Sequence, residues 1–128
     1  MTIEVSVREG LLILSDKFVN LDLLHELSEE AQAIELTDDV DGFIENASDF
    51  IENYLPLDRN CIKNVLVVSF HRISGERKLS LSDLGSHTER KKMQQFVSSL
   101  KRSYSEILQN QDPIVDIAID GLLNKITH

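Results

Sequence analysis

The sequence has a single cysteine, Cys61, and therefore lacks the residues needed for an internal disulfide bond or a multi-cysteine metal site. A single cysteine excludes an internal disulfide and fits a reducing compartment. Tryptophan is absent, and the 128 residues include only two prolines and five glycines, which is unlike a disordered or low-complexity chain. The longest aliphatic runs, LLIL and VLVV, are too short to span a bilayer, and the first ten residues do not have the pattern of a signal peptide. We therefore expect one cytoplasmic globular domain, residues 1–128, without membrane contact.

Basic residues are missing from a long part of the chain. Residues 18–58 contain twelve Asp or Glu and no Lys or Arg, whereas residues 59–109 contain ten basic and four acidic residues. The net charge of the whole chain is −9. An acidic first half thus precedes a mildly basic second half, and this asymmetry is the main functional signal in the sequence.

Apolar residues recur at three- and four-residue steps through most of the chain, which predicts an all-α fold, a single compact bundle of about five or six helices. The clearest helix runs from Thr37, its predicted N-cap, to Leu55, and Pro56 marks its end. Other helices are predicted over 21–34, 86–110 and 112–126. The helix over 86–110 begins with SHTE, a capping box of Ser86 and Glu89. The helix over 112–126 has Asp112 as its cap and an apolar face wide enough to predict a central, well-buried helix.

Two segments fit either a strand or a helix. Residues 3–7, IEVSV, alternate as a strand does, and residues 61–73 are rich in β-branched residues, yet both also have apolar residues at helical spacing. Because their neighbours are predicted to be helical, we interpret both segments as helical. For residues 1–14 a strand remains the alternative. Residues 74–85, SGERKLSLSDLG, are predicted to be the main loop.

One side of the helix over 37–55 carries carboxylates only. On a helical wheel Asp38, Asp41, Glu45, Asp49 and Glu52 gather within about 80°, opposite the apolar residues, and we call this set the acidic face. Its members are three or four residues apart, so each neighbouring pair repels by about 0.2 to 0.5 kcal/mol.

Structural explanations for this arrangement exist. The helix dipole stabilises acidic residues in the first turn. This explains Asp38, Asp39 and Asp41 but not the acidic residues in later turns. Cations from residues 59–109 can fold against the acidic face, or the face can simply be solvated. The functional explanation is a basic protein partner, since complementary fields accelerate encounter. We predict that such a partner is bound by Asp41, Glu45, Asp49 and Glu52, with Asp38, Asp39 and Asn53 as neighbouring contacts.

A compact, acidic, helical chain of this size resembles the immunity proteins that neutralise bacterial nuclease toxins, including those of contact-dependent inhibition systems and of nuclease colicins. The resemblance is one of overall character. The helical nuclease-colicin immunity proteins carry a DYTE-type helix start and a YYP turn, and neither is present here. No functional residue is therefore carried over. The resemblance implies a cytoplasmic inhibitor that binds its toxin one-to-one and occludes the active site.

The alternative function is a nucleic-acid-binding regulator. Residues 79–103 have the outline of a helix-turn-helix, and Arg90, Lys91, Lys101 and Arg102 share one flank of a predicted helix. Against it stand the acidic net charge and the scarcity of aromatic residues for base stacking.

No pattern of an enzyme, a metal site or a cofactor site is complete. Residues 37–48 resemble a calcium loop, but Thr37 and Ser48 occupy the positions that need carboxylates. Residues 98–101, SSLK, match a bare S-x-x-K without its companion motifs. Nothing in the sequence fixes Cys61 near His71, and Cys61 falls on an apolar face. We expect a protein that is not an enzyme and binds no cofactor.

Overall fold

The computed structural model describes residues 19–83, 90–108 and 113–127, and they confirm the predicted all-α fold. The predicted structure of residues 1–14, the capping box of Ser86 and Glu89, and the cap at Asp112 lie outside the described residues. The described part contains five α-helices and two strands of two residues each: α1 (Leu21–Gln32), β1 (Glu35–Leu36), α2 (Asp38–Glu52), α3 (Arg59–Ser74), β2 (Lys78–Leu79), α4 (Arg90–Leu108) and α5 (Pro113–Thr127).

The ends of these helices follow local capping chemistry. The Asn20 side chain accepts a hydrogen bond from the Leu23 backbone N–H at 3.1 Å at the start of α1. The Asp58 side chain does the same for Cys61 at 2.8 Å at the start of α3. Gly75, with φ of 76°, ends α3 in the left-handed conformation that favours glycine. The ambiguous segment 61–73 is therefore helical, as interpreted.

Four helices pack in a closed ring in which α2 contacts α3, α3 contacts α4, α4 contacts α5 and α5 contacts α2. α1 packs against α3 and α4 from outside this ring. In the interior the rings of Phe43, Phe70 and Phe96 meet with centroids 5.8 to 6.4 Å apart. Phe70 and Phe96 are fully buried.

The central helix is α3, and the expectation that the helix over 112–126 is central was wrong. α3 buries Cys61, Ile62 and every residue from Val65 to Phe70, whereas on α5 Asp116, Ile117 and Asp120 are exposed. Polar residues at four-residue steps leave one side of α5 to water, while the middle of α3, from Val65 to Phe70, is buried on every side. Close approach of α3 and α4 is helped by two small buried residues, Ser69 and Ser99, whose hydroxyl groups are 3.1 Å apart.

The predicted loop over residues 74–85 also contains regular structure. β2 pairs in parallel with β1, with Glu35 opposite Lys78 and Leu36 opposite Leu79. The backbone N–H of Thr37 donates to the Leu79 carbonyl at 3.0 Å. Thr37 is the N-cap residue of α2 as predicted, but its side chain makes no capping hydrogen bond, and its backbone pairing continues the strand up to the helix start.

None of the helices in the described ranges combines the length and apolar character of a membrane-spanning segment.

Candidate functional site

The acidic face lies on α2, and the structure divides it into two parts. α2 buries Val40, Ile44, Ala47, Ser48 and Ile51 against the bundle, so the carboxylates on its other side are turned outward. Asp38, Asp39, Asp41, Asp49 and Glu52 are exposed, and Glu45 is half-buried. The helical-wheel prediction that these carboxylates lie on the side of α2 opposite its apolar residues is therefore confirmed.

Arg59, the first residue of α3, contacts three of the predicted binding residues. Its Nη1 lies 2.6 Å from Asp49 Oδ1 and 2.5 Å from Glu52 Oε1. Its Nη2 lies 2.6 Å from Glu45 Oε2 and donates to the Glu45 carbonyl at 3.2 Å. Of the explanations left open for the acidic face, pairing with cations from residues 59–109 therefore applies to Glu45, Asp49 and Glu52.

Lys63 adds a second cation, with its Nζ 2.5 Å from Glu45 Oε1. Arg59 and Lys63 are four residues apart and so lie on one side of α3, the side that faces α2. We call these two cations, together with Glu45, Asp49 and Glu52, the Arg59 network. A hydrogen bond from Lys63, and after it one from Arg59, lowers the pKa of Glu45 to about 2. Glu45, Asp49 and Glu52 in turn raise the pKa of the Arg59 guanidinium.

The sequence contained a signal for this network. Arg59 and Lys63 are the first two basic residues after the acidic stretch, at helical i,i+4 spacing and beyond a short connection. The antiparallel return of α3 along α2 brings them beside the later turns of the acidic face. Both residues hold carboxylates of α2 against α3, and neither was predicted by position.

The second part of the acidic face is the first turn of α2. Asp38, Asp39 and Asp41 make no ion pair with any residue in the described ranges. We call these three residues the N-terminal acidic cluster. The helix dipole favours carboxylates at this position. The seventh predicted residue, Asn53, follows α2 and donates from Nδ2 to the Asp49 carbonyl at 3.2 Å.

The basic flank of the alternative function is also divided. Lys101 Nζ lies 2.8 Å from Asp120 Oδ1 on α5, whereas Lys91 and Arg102 line a groove between α3 and α4. The side chain of Arg90 lies outside the described residues. Among the described cations of this flank, Lys101 is therefore partly neutralised by Asp120, whereas Lys91 and Arg102 remain in the groove.

Cys61 is buried at the start of α3. Desolvation, and after it the charge of Asp58, raises the pKa of the thiol to about 12, so almost no thiolate exists at neutral pH. Among the described residues, no group of three or more His, Cys, Asp or Glu side chains is placed to hold a metal ion.

Comparison with known proteins gives no match to a family model, to a curated protein or to a solved structure.

Proposed function

We propose that this protein is an acidic binding protein that inhibits a basic protein partner, and that it acts in the cytoplasm as an immunity protein against a nuclease toxin. The observation that supports the proposal is the N-terminal acidic cluster. Asp38, Asp39 and Asp41 are exposed on the first turn of a rigidly packed helix, and none pairs with a cation from the described part of the chain.

The Arg59 network reduces the negative charge of the surface without removing it. The six carboxylates from Asp38 to Glu52 face two cations, Arg59 and Lys63, which leaves a net charge of −4. Glu45 stays ionised through the neutral range because its pKa is about 2. A field of this sign raises the rate at which a basic surface arrives.

The same network also lowers the entropic cost of binding. Arg59 and Lys63 hold the side chains of Glu45, Asp49 and Glu52 in one arrangement. A partner that contacts side chains already fixed does not need to order them, which usually costs about 0.5 to 1.5 kcal/mol for each side chain. In this mechanism the free carboxylates of the N-terminal acidic cluster attract the partner, while the fixed ones provide a rigid surface beside them.

Inhibition would follow from competition with nucleic acid. A nuclease grips phosphates with Lys and Arg side chains. Carboxylates of Asp38, Asp39 and Asp41 placed on those side chains exclude the phosphates, and the body of the helical bundle blocks access to the active site.

The test uses the proteins encoded beside this gene, because an immunity protein is expected next to its toxin. Each is co-expressed with the chain, and the neutralised partner is then used for stopped-flow association at low salt. We expect the double variant Asp38→Lys and Asp41→Lys to slow association by about tenfold or more. The matched control is Asp22→Lys with Glu26→Lys, which makes the same charge change on two exposed residues of α1.

Two results would overturn the proposal. One is that no neighbouring protein is both toxic and neutralised by co-expression with this chain. The other is equal association rates for the α2 double variant and the α1 control, since the position of the charge would then not matter.

A further inference from the structure

The groove between α3 and α4 is lined by three cations that the acidic face does not use, Arg72 from α3 and Lys91 and Arg102 from α4. Its volume is about 550 Å³, which lies in the range of small-molecule sites. No carboxylate from the described residues lines it, although the chain as a whole has a net charge of −9. Its neutral polar lining residues are Gln94, Gln95, Ser98 and the buried Ser99, all on α4.

Two of its cations are available to a ligand. Lys91 and Arg102 are exposed and have no ion pair with any side chain in the described part of the chain. Arg72 binds Glu30 of α1 through Nη2 at 3.2 Å and Nε at 3.4 Å. Glu30 takes Nε and Nη2 of Arg72, so the Nη1 atom can donate to an anion in the groove that Arg72 lines.

The spacing of the cations sets the kind of anion. Lys91 and Arg102 are eleven residues apart, about 16 Å along α4. The contact between Ser69 and Ser99, with α3 and α4 antiparallel, sets Arg72 across the groove at a level between them. Neighbouring members of the three are thus set roughly 8 Å apart along the groove at the level of the backbone, a spacing that suits an anion with several charged groups.

From this arrangement we propose that the α3–α4 groove binds a small molecule that carries more than one phosphate group. Arginine forks match phosphate oxygens in bidentate geometry, and lysine provides a further point charge. The amides of Gln94 and Gln95 and the hydroxyl of Ser98 provide neutral donors for the remaining oxygens. This site is separate from the surface on which the proposed function rests. Arg72 in the groove lies thirteen residues from Arg59 beside the acidic face, about 20 Å along α3.

A small ligand is favoured over nucleic acid for two reasons. No aromatic side chain of the described residues lines the groove, so these residues offer bases no surface on which to stack. An extended polyanion would also leave the groove and meet the field of a molecule with net charge −9.

The test is calorimetric titration of the full chain with tripolyphosphate at low salt. We expect saturable binding that Arg102→Gln weakens by about tenfold or more, because a charge-assisted hydrogen-bond donor is lost. The matched control is Lys101→Gln at the preceding position of α4. This substitution removes the same charge, but Lys101 pairs with Asp120 and does not line the groove. Glu30→Gln should tighten binding, since it releases Arg72. Far-UV circular dichroism checks that each variant folds.

Other results would overturn the proposal. Equal effects of Arg102→Gln and Lys101→Gln would mean that only net charge matters, and an absence of saturable binding would remove the site. Inorganic phosphate binding as tightly as tripolyphosphate would contradict a ligand with several phosphates. A single-stranded oligonucleotide that binds when tripolyphosphate does not would instead support the nucleic-acid function.

Discussion

Arg59 contacts three carboxylates that α2 brings onto one side, and a single side chain thereby offsets repulsion that the helix cannot relieve by itself. Glu45, Asp49 and Glu52 are three or four residues apart, so neighbouring pairs repel. Both Nη atoms of Arg59 are used, one on Glu45 and the other shared by Asp49 and Glu52. The side chain of Arg59 is one third exposed, so solvent and salt screen these contacts.

We expect Arg59→Gln to lower the free energy of unfolding by a small but measurable amount, since it removes the ion pairs and restores the repulsion. Chemical denaturation at low and high salt measures this, and the difference should shrink as salt is added. Arg77→Gln is the control, because Arg77 is exposed and its side chain has no ion pair in the described residues. An equal effect of the two substitutions would contradict a stabilising Arg59 network.

Glu45 predicts how stability depends on pH. Its pKa falls from an ordinary 4.5 to about 2 on folding, first because Lys63 and then because Arg59 donates to it. A lowered pKa means that its stabilising contribution is complete above about pH 4.5 and is lost as the pH falls toward 2. Denaturation midpoints measured across this range should therefore fall less steeply for Glu45→Gln than for the unmodified chain. Parallel curves would show that Glu45 is not the titrating group.

At the scale of single elements, Gly42 and Gly75 should respond in opposite directions to substitution by alanine, because one lies inside a helix and the other ends a helix with positive φ. A Cβ atom at Gly42, inside α2, would meet nothing within 4 Å, and the same is true at Gly75, which ends α3 with φ of 76°. We expect Gly42→Ala to stabilise the protein by about 0.5 to 1 kcal/mol, because alanine is the better helix former. Gly75→Ala should destabilise it by about 1 kcal/mol, because an L side chain is strained there. Thermal unfolding of the two variants checks the opposite signs, and the same sign for both would contradict this reasoning.

The helices were predictable from sequence to different degrees. α2 combines regular apolar spacing with acids in its first turn, so its position was predicted, although it ends at Glu52 instead of Leu55. The middle of α3, from Val65 to Phe70, is buried on every side, and a stretch of that kind lacks the periodicity that separates helix from strand. β1 and β2 were not predicted, because strands of two residues have no pattern of their own and form only when α2 and α3 bring residues 35–36 and 78–79 together.

At the scale of the whole molecule, the charges of the two halves of the chain are partly combined and partly kept apart. Arg59 and Lys63 fold onto the acidic face, whereas Lys91 and Arg102 remain in the α3–α4 groove. Two surfaces of opposite sign therefore occupy different parts of one bundle, and each has its own expected ligand.

The buried apolar residues of the described part form one cluster that extends from Val19 to Leu122. We therefore predict a single cooperative unfolding transition, in keeping with the expected single domain. Far-UV circular dichroism should report the loss of helix at the same denaturant concentration at which near-UV signals report the exposure of Tyr104, which is fully buried. Separate midpoints for the two signals would show units that unfold independently.

The sequence alone determined the helical class, the side of α2 on which the carboxylates lie, and the segregation of charge along the chain. These follow from residue order and from the 3.6-residue period of a helix, which are local properties. The tertiary structure decided which charges meet, because pairs such as Arg59 with Glu45 and Lys101 with Asp120 depend on how separate helices pack. It thereby restricted the exposed, unpaired carboxylates of the predicted binding surface to Asp38, Asp39 and Asp41, and it assembled the α3–α4 groove from residues of two helices.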